Sequence, residues 1–190
     1  MAQKRGTTTA LMQEKKLLEL VLAKEDEIRF QSLETIFFWD SQGQIVLSRT
    51  GSADQVSFRR DELTAINAVI STHNHPSGTK FPLHDPRYGS NSFSLSDVKS
   101  ACLARLRELR VVSPKYRYSL KPPAAGWDND FFDTVLRLGY DAIFYQVRRE
   151  LIAQVQARKI LSHEAGINLL HEVWSRLATK LGLQYARYED

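Results

Sequence analysis

The segment Thr72-His73-Asn74-His75-Pro76-Ser77-Gly78 constrains the fold of this chain more than any other. Two histidines at i and i+2 cannot share one face of a helix. They converge when a strand ends and the chain turns between them, and Pro76 with Gly78 enforces such a turn. The preceding Ala68-Val69-Ile70-Ser71-Thr72 suits a buried strand that delivers His73 at its end. Further on, Ser94 or Ser96 caps a predicted helix, with Asp97 in its first turn. That helix is expected to run to about Leu109.

Composition narrows the chemistry available to this segment. The single cysteine, Cys102, excludes an intrachain disulfide and a thiolate zinc finger, and is expected to pack in the core. Five histidines are present, so nitrogen and oxygen ligands must hold any transition metal. His73, His75 and Asp97 make a His₂-carboxylate set, the open catalytic arrangement for zinc, which leaves a position for water. Zinc lowers the pKa of such a water toward about 7 and so supplies a nucleophile at neutral pH. Asp85 is the alternative third ligand. His84 reads as a loop histidine. His163 and His171, each followed by glutamate, lack the HExxH spacing and read as surface or capping residues.

With 190 residues the chain suits one domain with an appendage, and 43% hydrophobic with 25% charged residues is ordinary globular composition. The net charge is only +4. Arg105, Arg107 and Arg110, placed on one predicted helix, read as a solvated basic face, and a nucleic-acid groove is the less favoured alternative. No apolar run reaches the roughly 20 residues of a membrane span. The first residues lack the apolar core of a secretory signal, so a soluble, cytoplasmic protein with no membrane partner is expected.

Three regions follow from the patterning. Residues 1–24 form an N-terminal arm, frayed over 1–10 and helical over 11–24, where Leu11, Leu17, Leu18, Val21 and Leu22 share a face. Residues 25–125 form a core of α/β class. From Glu27, β-branched and aromatic residues predict a strand, turned at 41–43 into a hairpin with 44–50. A short strand at 55–58, a helix over 60–69, a loop at 76–93, and strands at VVSP and YRYSL complete it. Residues 126–190 form a helical extension, interrupted near Gly139 and Gly166. In it Trp127, Phe131, Phe132, Leu136, Ile143, Phe144 and Val147 offer an apolar face for core packing.

His73-x-His75-Pro76 with Ser94-x-x-Asp97 resembles the JAMM motif of the JAB/MPN metalloprotease family, and the wording HNHPSG is similar to its prokaryotic JAB and RadC-like members. The resemblance covers about residues 25–125. It implies a cytidine-deaminase-like fold, a mixed curved sheet flanked by helices. It implies Zn²⁺ on His73, His75 and Asp97, with Ser94 supporting the oxyanion and the bound water. An upstream glutamate on an early strand would be the general base. Among Glu25, Glu27, Glu34 and Glu62, Glu34 is preferred because it opens the first apolar strand, with Glu27 next. The implied activity is zinc-dependent hydrolysis of a peptide or isopeptide bond after an extended tail. The polypeptide substrate would be a ubiquitin-like protein or a similar one, in a bacterial or phage conjugation, defence or processing system. The alternative implied by the same family is a RadC-like DNA-associated factor or a non-catalytic interaction module. The chain departs from the family pattern in the 17 residues 77–93 between the motif proline and Ser94, far more than usual. Insertions beside the site occur in members that recognise ubiquitin-like partners.

Overall fold

The computed structural model describes residues 2–127 and 130–189, with side chains from residue 11 onward. The fold is mixed α/β. Helix α1 (Ala2–Ile28) leads into a hairpin of β1 (Thr35–Trp39) and β2 (Ile45–Thr50), then α2 (Arg60–Ala65) and β3 (Ile70–Asn74). Two 3₁₀ turns, Pro76–Lys80 and Pro86–Gly89, precede α3 (Leu95–Leu103), β4 (Glu108–Val112) and β5 (Tyr116–Lys121). A π-helical segment, Phe131–Leu136, runs into α4 (Arg137–Gln156), followed by α5 (Ser162–Leu181) and β6 (Gln184–Glu189).

One six-stranded sheet, in the order β2-β1-β3-β4-β5-β6, organises these elements. β3 and β4 are parallel, with Ile70 opposite Glu108 and Asn74 opposite Val112, and the other pairs are antiparallel. Alternation along the strands gives the sheet two different faces. One receives α1, whose Leu17 and Val21 pack with Trp39 and Ile70. The other carries the main core, where Phe38, Leu109, Val111, Tyr118 and Leu120 meet Val98, Tyr140, Val147, Trp174 and Leu177. Burying those large side chains contributes about 1.5–3 kcal/mol each, so the larger face dominates stability.

The α/β class and the hairpin match expectation, and several boundaries do not. The arm is helical from Ala2 and runs on to Ile28, so the strand expected from Glu27 starts only at Thr35. The cause is tertiary: Glu25 is fully buried and bonded to Arg110, and Ile28 is fully buried too. Residues 55–58 form no strand but an irregular segment beside the edge strand β2. The helix after Asp97 ends at Leu103, because the chain must reach the sheet by Glu108. Arg105, Arg107 and Arg110 therefore share no helix, and Arg110 is buried in β4, which dissolves the expected basic face.

The C-terminal extension is not helical throughout. β6 completes the main sheet against β5, with Tyr118 opposite Arg187. Neither Gly139 nor Gly166 breaks its helix; the break falls at 157–161. Gly139 lies inside α4, where a Cβ would meet Leu177 Cδ1 at 3.1 Å, so glycine lets α5 pack close. The expected apolar face is in the core, with Phe132, Leu136, Ile143 and Val147 buried. Cys102 is buried as expected, and burial pushes its thiol up to about 12.

Candidate functional site

His73 occupies the next-to-last position of β3, on the main-core face, and is 1% exposed. β3 ends at Asn74 and Pro76 begins a 3₁₀ turn, so the backbone bends between the two histidines. Gly78 is needed in that turn, since a Cβ there would stand 2.3 Å from Tyr88 O in the second turn. The two turns are fastened by Ser77 Oγ and Ser90 Oγ at 2.6 Å. The insertion at 76–93 is thus folded back on itself at the mouth of the site.

Asp97 arrives from α3. Ser94 is the N-cap: its Oγ accepts from Asp97 N at 3.1 Å, and its own N–H donates to Asp97 Oδ2 at 2.7 Å. This reciprocal box fixes the carboxylate over the helix start, where the helix dipole favours negative charge. Ser94 is therefore first the residue that aims Asp97, with its hydroxyl 3.1 Å from that of Ser96.

The three expected ligands converge. His73 Nε2 and His75 Nε2 lie 3.1 Å apart, and Asp97 Oδ2 is 3.7 Å from the first and 3.8 Å from the second. A tetrahedral zinc with bonds of about 2.1 Å separates its ligand atoms by about 3.4 Å, so the spacing fits such an ion. His75 Nδ1 lies 2.9 Å from the carbonyl of Asn91 and donates to it. That bond fixes the tautomer and turns the Nε2 lone pair toward the other two ligands. His73 Nδ1 is buried without a hydrogen-bond partner among the described residues.

The charges around the three residues are compatible with a bound cation. The site opens into a cleft of about 490 Å³ whose lining includes Glu34, Asp54, His75, Ser94 and Asp97. Among the described residues lining it there is no lysine or arginine. Burial works against a charged His73, but Asp97 and Glu34 outweigh it and raise its pKa. Burial and the neighbouring His73 hold His75 down at about 4. Asp97 stays well below the ordinary carboxylate range: burial opposes this, and His73, His75 and the Ser94 N–H prevail.

Glu34 is 7% exposed and precedes β1 at the rim of the same cleft. Burial raises its pKa, Asp97 and Asp54 add to the effect, and His73 opposes it. The other glutamates weighed for its role are engaged elsewhere. Glu25 binds Arg110 at 2.7 Å, Glu27 is exposed and pairs with Lys24, and Glu62 binds Arg49 at 2.8 Å. Asp85, the alternative third ligand, caps the second 3₁₀ turn and binds Arg87 Nη2 at 2.6 Å. His84 is exposed in the loop.

Sequence reasoning missed the groups that hold the loop over the site. Trp174 Nε1 donates to Phe93 O at 2.7 Å, and Tyr185 OH lies 3.0 Å from Ser92 Oγ. His171, expected at the surface, is half-buried with Nδ1 2.9 Å from Tyr185 OH. These contacts come from α5 and β6 and fasten residues 92–93, next to the Asn91 carbonyl that orients His75. Separations of 81 and 93 residues leave no local signal for them.

No family model, no curated protein and no solved structure matches this chain in the comparisons made.

Proposed function

We propose that this chain is a zinc-dependent metallopeptidase of the JAMM type on a JAB/MPN core, acting on a peptide or isopeptide bond after an extended tail such as that of a ubiquitin-like protein. The observation that supports the reading is that Glu34 lines one cleft with His75 and Asp97, whose ligand atoms converge with that of His73. Zinc held there supplies a Lewis acid for the scissile carbonyl and an acidified water. Every remaining step belongs to the chain. The Asn91 carbonyl and the Ser94 cap keep His75 and Asp97 aimed before any substrate arrives. Glu34 accepts the proton of the attacking water and returns it to the leaving amine, a task for which a raised carboxyl pKa is suited. The Ser94 hydroxyl, on the cleft wall, donates to the developing oxyanion, an interaction that can contribute about 2.7–4 kcal/mol. The tail lies between residues 53–58 and residues 91–96, the two walls of the cleft.

The test is metal analysis followed by hydrolysis of a fusion carrying a ubiquitin-like tail. The purified protein is expected to hold about one zinc per chain. Glu34→Ala is expected to keep the metal and lower kcat about 10²–10⁴-fold. A chain that takes up no zinc, or full activity in the variant, overturns the reading.

A further inference from the structure

We infer that Asn74, the residue between the two histidines, is a positioning residue that sets the backbone of Glu34; the inference rests on Glu34 being the proton carrier. Asn74 is fully buried in the last position of β3. Alternation turns its side chain away from the direction taken by His73. It runs instead to the segment that links α1 to β1. Oδ1 accepts from Thr35 N at 2.7 Å, and Nδ2 donates to Leu33 O at 3.1 Å and to Gln31 O at 3.3 Å.

Two peptide groups flank Glu34, and each is held at both ends. In the first, Leu33 O accepts from Asn74 Nδ2, while Glu34 N donates to Ser52 O at 2.7 Å. In the second, Glu34 O accepts from Gly51 N at 2.9 Å, while Thr35 N donates to Asn74 Oδ1. Half of this clamp is the 51–52 turn and half is one amide side chain. With both peptide planes fixed, the Glu34 side chain leaves the backbone in one direction, into the cleft. On the β3 side no ladder bond does this, because the register of β1 with β3 starts at the Ile36–His73 pair.

The type of residue is specific to the task. The clamp needs an acceptor for Thr35 N and a donor for Leu33 O on one short side chain, and only the asparagine amide offers both at this length. Aspartate has the shape but no donor when ionised, and places a carboxylate against two carbonyls. Asn74 thus couples the strand end that presents both histidine ligands to the segment that carries the base. A reacting group displaced by about 1 Å can lose about 10² in rate, so a side chain outside the cleft can control kcat.

The experiment is a mutant cycle with the zinc-loaded protein. Asn74→Asp and Asn74→Ala are expected to lower kcat about 10–100-fold with KM and zinc stoichiometry unchanged. In a Glu34→Gln background the same changes are expected to add no further loss, since the residue they act through is already gone. Losses that multiply in the double variants, or an unchanged kcat in the singles, overturn the inference. Amide hydrogen exchange gives a readout that needs neither activity nor metal. In the unmutated chain Glu34 and Thr35 amides should be protected like the interior of β1. In Asn74→Ala the Thr35 amide, which loses its acceptor, should lose protection, with His73 and Val98 unaffected. Free exchange of Glu34 and Thr35 in the unmutated chain overturns the clamp, also if both variants fail to fold. An unmutated, zinc-loaded chain without hydrolytic activity but with protection at both amides and loss on mutation would instead refute the peptidase reading and keep the clamp.

Discussion

The sheet carries a polar cluster on each face, and the two differ in what balances their charge. Toward α1, Arg110 reaches Glu25 at 2.7 Å and Glu108 at 2.6 Å, Ser119 donates to Glu108 at 2.7 Å, and Thr72 donates to Glu25 at 2.9 Å. Arg117 adds a second cation 3.7 Å from Glu25. Each carboxylate there has its counter-ion inside the fold. On the cleft face, Glu34 and Asp97 accompany two imidazoles, with no lysine or arginine in the described lining. One nitrogen, His73 Nδ1, has no hydrogen-bond partner among the described residues. A buried cluster that contains its own cations is a fastening. One that lacks lysine and arginine has room for a cation from outside, and that difference is why the proposed chemistry is assigned to the cleft face.

The largest expected effect lies on the closed face. Arg110→Ala leaves Glu25 and Glu108 buried without their central cation, and the loss is about 3–5 kcal/mol. Urea unfolding measures it. Zinc stoichiometry in the molecules that still fold should not change. A loss below about 1 kcal/mol would mean that solvent or Arg117 already screens the cluster, and the contrast between the faces would weaken.

The open face should respond to metal in the reverse sense. Free zinc at about 100 times its Kd stabilises a one-site protein by about 2.7 kcal/mol, so Tm should climb with zinc concentration. Asp97→Asn should abolish the climb, whereas Arg110→Ala should shift the whole curve down and preserve it. A flat response in the unmutated chain breaks the comparison, because the cluster would then be complete without an ion.

The same contrast explains what the sequence made legible. His73, His75 and Asp97 converge through local rules: a strand, a proline turn and a capping serine three residues before a carboxylate. Each rule acts within a few residues, so the spacing carries the geometry. Glu34 was readable for a similar reason, since it opens an apolar strand. The closed face was not readable. Glu25 looks like one more solvent-facing residue of a charged stretch until Arg110, 85 residues away, buries it. That pairing extends α1 through residues whose β-branched and aromatic neighbours suggest a strand. β6 was missed likewise: Gln184–Glu189 is polar and only partly buried, and its partner β5 alone makes it a strand. Asn91 acts through a backbone carbonyl, which no side-chain pattern reports.

The smallest of these effects is the most discriminating, because two buried glutamates should answer the same substitution with opposite signs. Glu34 has a carboxyl pKa raised above its ordinary 4.5 by burial first, then by Asp97 and Asp54. Between the unfolded and folded values the native state holds more protons than the unfolded one. Stability therefore falls as pH rises through that window, and above it the full penalty of the ionised group remains. Below 4.5 both states are protonated and the difference disappears. In the metal-free protein Glu34→Gln should thus raise stability at pH 7 by about 1 kcal/mol or less, with the gain fading on acidification. Glu25→Gln should lower stability at pH 7, removing a charge that Arg110 compensates at 2.7 Å. Bound zinc should shrink the Glu34→Gln gain, since a nearby cation favours the carboxylate. Unfolding midpoints of the two variants, each with zinc and with chelator, measure all of this. Loss of stability in both variants at neutral pH would show that Glu34, like Glu25, already has its compensation within the fold, and the open face would then be a second fastening.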